Sequence, residues 1–184
     1  MYIRGIILAG GCSSRMGENK LMLKLGENTI ISRVIENAKA SKIEEVVLVY
    51  GKYDVDTDVI KIYNPDYELG MSTSIKRGLE GFNGDGVMLI LGDMPFVSTE
   101  IINKLYDEFS VSSKNIAAPI YKRKRGNPVI IGKKYFEELL KNTGDKGARD
   151  IIKNNAYDVE LVEVRNDGIF VDIDDKESYK SIEA

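Results

Sequence analysis

The sequence contains no histidine and no tryptophan, and only one cysteine and four prolines in 184 residues. Without histidine there is no Ser-His-Asp triad, no Cys-His pair and no imidazole metal site. A single cysteine excludes an internal disulfide and a thiolate zinc cluster. An excess of charge of one sign is also missing. The 26 basic and 29 acidic residues leave a net charge of −3, which argues against bulk nucleic-acid binding. The apolar runs are short, such as Ile6 to Ala9 and Val87 to Leu91. A membrane-spanning helix needs about 18 or more apolar residues. The start, Met1 to Ala9, enters a strand pattern directly and lacks the basic opening and longer apolar core of a signal peptide. The expectation is a cytoplasmic protein with no nucleic-acid and no membrane partner. Its chemistry must rest on Asp, Glu, Lys, Arg, Ser, Thr, Tyr and backbone amides, with or without a hard metal ion.

What is present is alternation. Tyr2 to Ala9, Glu45 to Tyr50, Val59 to Tyr63 and Val87 to Leu91 are β-branched, apolar runs that predict buried strands. Between and after them, Thr29 to Lys39, Met71 to Phe82 and Ser98 to Phe109 carry apolar residues at helical spacing. Ser72 or Thr73, and Ser98 or Thr99, are the expected N-caps of the last two. Asn115 to Tyr121 and Pro128 to Ile131 predict two strands joined by the basic turn Lys122 to Gly126. Helices are then expected at Lys134 to Leu140 and, capped by Asp145, through Asn154. Short strands at Asp158 to Val164 and Ile169 to Val171 precede a closing helix at Lys176 to Ile182. Strand-helix alternation implies parallel strands with right-handed crossovers, and the pair near 115–131 implies an antiparallel excursion. The reading is one α/β domain over residues 1–184, with three layers and a predominantly parallel mixed sheet. No repeat, low-complexity tract or linker divides it.

The first strand runs into Leu8-Ala9-Gly10-Gly11, then Ser13, Ser14, Arg15, Gly17 and Lys20. Adjacent glycines let backbone amides approach a ligand closely, and two hydroxyls and two cations follow within a few positions. That combination suits a polyphosphate. The alternative is an ordinary strand-to-helix loop with solvated charges. Neither the P-loop nor the dinucleotide glycine pattern is present. Asp93 directly follows the most apolar strand, where open α/β sheets bind ligands. It is placed to hold Mg²⁺ or, alternatively, to cap the turn at Pro95. Asp172 and Asp174 fall on one face if Ile169 to Val171 continues as a strand.

Taken together, these segments resemble the nucleotidyltransferase family that builds molybdopterin dinucleotides. The resemblance is carried by Leu8 to Gly11 with Arg15, Gly17 and Lys20, by Gly70-Met71-Ser72-Thr73-Ser74, and by Gly92-Asp93-Met94-Pro95. Arg125-Gly126-Asn127-Pro128, Gly144 to Arg149 and Val171-Asp172-Ile173-Asp174 complete it in the same order. It covers nearly the whole chain and points to the molybdenum-cofactor cytidylyltransferase branch. The resemblance implies a Rossmann-like nucleotidyltransferase fold, with an N-terminal part that binds nucleotide and a C-terminal part that binds the acceptor. It implies CTP ahead of GTP as donor, a molybdopterin-type acceptor, Mg²⁺ as cofactor, and transient contact with a molybdoenzyme or its chaperone. Arg15, Lys20 and Asp93 would be catalytic. Leu8, Ala9, Gly10, Gly11, Ser13, Ser14, Ser72 and Ser74 would join Arg15 and Lys20 around the nucleotide. Asn64, just after a strand, is a further candidate for a ribose or base contact or, equally, a turn residue before Pro65. Arg125, Asn127, Lys146 and Arg149 would hold the acceptor. Asp93 and Asp172 would hold the metal, with Asp174 as the fallback for the second position.

One departure bears on the base. The cytidylyl branch more often reads Leu-Ala-Ala-Gly, whereas Leu8-Ala9-Gly10-Gly11 reads as in the guanylyl branch. A guanylyltransferase, a sugar- or alditol-phosphate nucleotidyltransferase and a non-catalytic nucleotide-binding regulator are the alternatives.

Overall fold

The structure, a computed structural model, describes residues 1–11, 19–173 and 179. In chain order the elements are β1 (Ile3–Ala9), β2 (Lys24–Leu25), β3 (Asn28–Thr29), α1 (Ile30–Lys39), β4 (Glu45–Tyr50) and β5 (Ile60–Tyr63). They continue with α2 (Met71–Leu79), β6 (Gly86–Leu91), α3 (Thr99–Val111), β7 (Ile116–Tyr121), β8 (Lys124–Arg125) and β9 (Val129–Gly132). The last are α4 (Phe136–Lys141), α5 (Arg149–Asn154) and β10 (Val159–Glu163).

The main sheet has the order β10-β7-β9-β6-β1-β4-β5, with β8 paired to β7. All pairs among β1, β4, β5 and β6 are parallel, as is β10 with β7. β9 runs antiparallel to both β6 and β7 and is the expected excursion. The architecture is therefore a Rossmann-like α/β fold with a mixed, mostly parallel sheet. Strand alternation divides the core into two layers. Ile3, Ile7 and Ala9 of β1 face α1 and α3, through Ile30, Ile31, Val34, Ile101 and Leu105. Ile6 and Leu8 face the other side, where Ile75 and Leu79 of α2 and Ile151 and Ile152 of α5 pack. Each fully buried side chain of this kind contributes about 1.5–3 kcal/mol.

Local sequence accounts for most boundaries. Thr29 caps α1 by accepting the amide of Ser32, and Ser98 caps α3 by accepting that of Ile101. Four expectations need correction. Neither Ser72 nor Thr73 caps α2; Gly70 occupies the cap position and its own side chain supplies nothing. Asp145 does not cap the helix that follows it, because α5 begins only at Arg149. Ile169 to Val171 is not a strand: the amide of Phe170 turns back to the carbonyl of Asp167. The basic connection at 122–126 is not a loop throughout, since Lys124 and Arg125 pair back onto β7. The closing helix expected at Lys176 to Ile182 lies outside the described residues, apart from Tyr179.

At the end of the sheet where β7 begins, Asp158 is 6% exposed. It accepts bonds from the Asn115 amide, Lys134 Nζ and the Tyr135 hydroxyl at 3.0, 2.7 and 2.7 Å. Burial pushes the Asp158 carboxyl up, but the bonds from Lys134, Tyr135 and Asn115 outweigh it and hold the group well below the usual carboxylate range. Burial and the same carboxylate push the Tyr135 phenol up.

Candidate active site

β1 lies between β4 and β6. The connection through α1 crosses one face of the sheet and that through α2 crosses the other. The strand order therefore reverses at β1, and a crevice opens beyond its carboxyl end. A cavity of about 330 Å³ occupies that crevice, walled by Leu8, Ala9, Gly10, Gly11, Lys20, Ser74 and Asp93 among others. A second cavity of about 230 Å³ is lined by Arg125, Asn127, Lys146 and Arg149. The two share Leu8, Met71, Leu91 and Asp145 as wall residues, so they adjoin.

Asp93 is fixed from three directions. The amide of Gly92 bonds to the Leu8 carbonyl at 3.1 Å, which holds the end of β6 against β1. The Asp93 carbonyl accepts the amide of Ile173 at 3.1 Å. Its carboxylate meets Lys20 Nζ at 2.7 Å, with side-chain exposures of 21% for Asp93 and 13% for Lys20. Lys20 itself begins a single helical turn capped by Asn19 and anchored by the buried Leu21.

Gly10 packs against α2. A Cβ on Gly10 would lie 2.7 Å from the Ser74 hydroxyl. That hydroxyl accepts a bond from Asn64 Nδ2 at 3.0 Å. Asn64 is fully buried; it also donates to Thr73 Oγ1 and accepts the amide of Asp66. Its side chain sets the position of α2 beneath the cavity and is absent from the cavity wall. Ser72 is 1% exposed and likewise does not line it.

The start of α2 is shaped by a distant segment. Gly144 accepts the amide of Ser72 through its carbonyl at 3.0 Å. The Asp145 carboxylate accepts the amide of Met71 at 3.0 Å. Gly70 has φ 105°. A Cβ there would lie 2.5 Å from the Gly144 carbonyl carbon, so only glycine fits.

Among the sequence-predicted residues, Leu8, Ala9, Gly10, Gly11, Lys20, Ser74 and Asp93 gather in the first cavity. Arg125, Asn127, Lys146 and Arg149 gather in the second. Asp172 is exposed and belongs to neither wall, although its neighbour Ile173 is bonded to Asp93. Ser13, Ser14, Arg15 and Asp174 lie outside the described residues. Met71, within the expected 70–74 segment, also lines the first cavity, as do Tyr67 and Asp145, to which the sequence pattern assigns no place there. The signal for Asp145 was its place between Gly144 and Gly147, both of which have positive φ.

A glycine-rich loop, a cation and a carboxylate at a strand-order switch point define a nucleotide-binding α/β enzyme. The chain belongs to the family described as MobA-like NTP transferase domain, whose model matches residues 5–161. It is a nucleotidyltransferase of that family. The molybdenum cofactor cytidylyltransferase of Escherichia coli (strain K12) is 28% identical over 95% of this chain and 92% of its own length. The purine catabolism protein PucB of Bacillus subtilis (strain 168) is 29% identical over 98% of this chain and 96% of its own. A probable molybdenum cofactor guanylyltransferase of Thermococcus sibiricus is 29% identical over 78% of this chain and 75% of its own. In fold, the chain superposes with a TM-score of 0.86 on the crystal structure of an Rv0371c homologue from Mycobacterium sp. strain JC1. That pair is 24% identical, with 98% of this chain and 94% of the other covered.

Proposed function

We propose that this chain transfers CMP from CTP to the phosphate of a molybdopterin-type acceptor, in the cytoplasm, with release of pyrophosphate. The observation that carries the proposal is the pair of adjoining cavities. One holds the glycine loop with Lys20 and Asp93, and the other holds four polar or cationic side chains. A reaction that joins a nucleotide to a second phosphorylated substrate needs two such sites with a common wall.

In this reading, the amides at Gly10 and Gly11 and the ammonium of Lys20 bind the triphosphate, with Arg15 as a second cation. Arg125, Asn127, Lys146 and Arg149 orient the acceptor so that its phosphate oxygen attacks the α-phosphorus in line. The bond from that phosphorus to the bridging oxygen breaks, and pyrophosphate leaves. The acceptor oxygen is already ionised at neutral pH, so the absence of histidine costs nothing. The protein supplies position and positive charge.

Asp93 offers hard carboxylate oxygen on the cavity wall. Mg²⁺ typically takes one or two carboxylates plus substrate phosphates, so the donor chemistry fits. Asp93 would hold the ion, with Asp172, next to the Ile173 whose amide bonds to Asp93, as the second candidate. An ion held there would neutralise charge on the phosphates.

GTP is the second reading, and Gly10 favours it, because position 10 lacks the methyl group more usual in the cytidylyl branch. A pyrophosphate-release assay with each of the four nucleoside triphosphates and a molybdopterin acceptor tests the proposal. Turnover with CTP supports it. Faster turnover with GTP moves the donor to guanine, and no turnover with any pair removes the proposal.

A further inference from the structure

We propose that Lys20 is an internal stand-in cation at Asp93. In the nucleotide-free chain its ammonium occupies the carboxylate that the divalent metal needs, and an incoming triphosphate draws it away. Metal and nucleotide would then bind cooperatively through one movable side chain. The inference rests on the nucleotide and metal reading of the cavity given above.

The geometry supports an exchange rather than a permanent bridge. Lys20 Nζ and Asp93 Oδ2 are 2.7 Å apart, and both side chains are largely withdrawn from water. Attraction is less screened there than at an open surface. Both residues also line the cavity into which the glycine loop faces. Phosphate oxygens bound in that cavity offer the ammonium a second anion. A dication at Asp93 would be repelled by an ammonium within bonding distance of the same carboxylate. The lysine stem is long and flexible, so its tip can swing while its backbone stays fixed. The backbone is indeed held: Asn19 Oδ1 accepts the amide of Leu21 at 3.2 Å, and the Lys20 carbonyl accepts that of Leu23 at 3.2 Å. Asp93 is equally fixed through Gly92 and Ile173.

The coupling is reciprocal by linkage. Lys20 lowers metal affinity in the absence of nucleotide, and a triphosphate that engages Lys20 restores it.

The test is Mn²⁺ binding to the full chain without nucleotide, followed by the electron paramagnetic resonance signal of the free ion. Lys20→Met should bind Mn²⁺ about tenfold more tightly than the unaltered chain. Lys20→Gln serves as a second variant, and thermal melting checks that each variant folds. Lys146→Met removes the same charge from the neighbouring cavity and should leave Mn²⁺ affinity within about twofold. Asp93→Asn in the Lys20→Met background should abolish the tight binding. Unchanged or weaker Mn²⁺ binding in both Lys20 variants, with Asp93→Asn still abolishing it, overturns the stand-in role and leaves the proposed function intact. Equal tightening by Lys20→Met and Lys146→Met also overturns it, as a general charge effect. Mn²⁺ binding indifferent to Asp93→Asn overturns the metal reading and the stand-in role together.

Discussion

The Asp145 carboxylate accepts the amide of Met71 at 3.0 Å, across 74 positions of sequence. This bond closes the start of α2 and lies where the two cavities meet, since both residues line both. Asp145 thus caps a helix to which it is not adjacent in the chain. Loss of an N-cap of this kind costs about 1 kcal/mol. Asp145→Ala should lower Tm by about 2–4 °C at this chain length. It should also raise KM for both substrates, because the shared wall loosens. Asp145→Asn keeps an acceptor oxygen at the same place and should restore most of both. Thermal melts and steady-state kinetics on the three proteins check this. An unchanged KM for either substrate in Asp145→Ala would show that the wall does not depend on the cap.

Gly70 is the neighbouring constraint. Its φ of 105° belongs to glycine, and a side chain there would run into the Gly144 backbone, which cannot rotate aside as a side chain could. Gly70→Ala is expected to lose about 3 kcal/mol of stability, from backbone strain and displacement of the 144–147 loop together. Urea unfolding measures it. A loss below about 0.5 kcal/mol, the range of an ordinary surface substitution, would mean that the loop moves without cost.

These two contacts mark the limit of what the sequence could convey. The period of the strands and helices, and the antiparallel pair near 115–131, follow from local pattern and were legible. Lys20 and Asp93 stand out locally, as a cation after a glycine loop and a carboxylate after a buried strand, and the fold brings both to one cavity wall. Spacing makes Asp145 the cap of the nearest helix, whereas the fold brings residue 71 beside it as its partner. Asn64, just after a strand, suits either a ribose or base contact or a turn before Pro65, and local pattern does not choose between them. Its burial comes from Thr73, Ser74 and Asp66 closing around it. The expected strand at Ile169 to Val171 failed for a similar reason. The Ile169 carbonyl accepts the amide of Asn127, and the amide of Ile173 reaches Asp93. Those bonds to two separate loops take the place of a ladder.

Asp158 provides a pH-dependent component of stability. Its folded-state carboxyl titrates below its unfolded value, so its contribution is complete above the unfolded value of about 4 and is lost as pH falls through the folded one. Asp158→Ala leaves Lys134, Tyr135 and Asn115 without their common acceptor and should cost about 3 kcal/mol at pH 7. The stability gap between the unaltered chain and Asp158→Asn should be constant from about pH 5 to 8 and shrink below about pH 4. Chemical denaturation at a series of pH values tests both. A gap that widens on acidification would reverse the sign assigned to this carboxylate.

Arg149 and Arg125 allow the proposed acceptor site to be tested apart from the proposed nucleotide site. Both line the second cavity and neither lines the first. A guanidinium that engages a phosphate contributes about 1.5–3 kcal/mol through charge-assisted hydrogen bonds. Removal of one should therefore raise acceptor KM by about 10- to 100-fold. Arg149→Ala and Arg125→Ala should leave the Kd for Mg-CTP, measured by isothermal titration, within about twofold, because the two cavities meet only along Leu8, Met71, Leu91 and Asp145. Lysine at position 149 keeps the charge but not the planar fork, so Arg149→Lys should recover only part of the loss. Weakened CTP binding with acceptor KM unchanged would exchange the roles of the two cavities and place the acceptor beside Lys20.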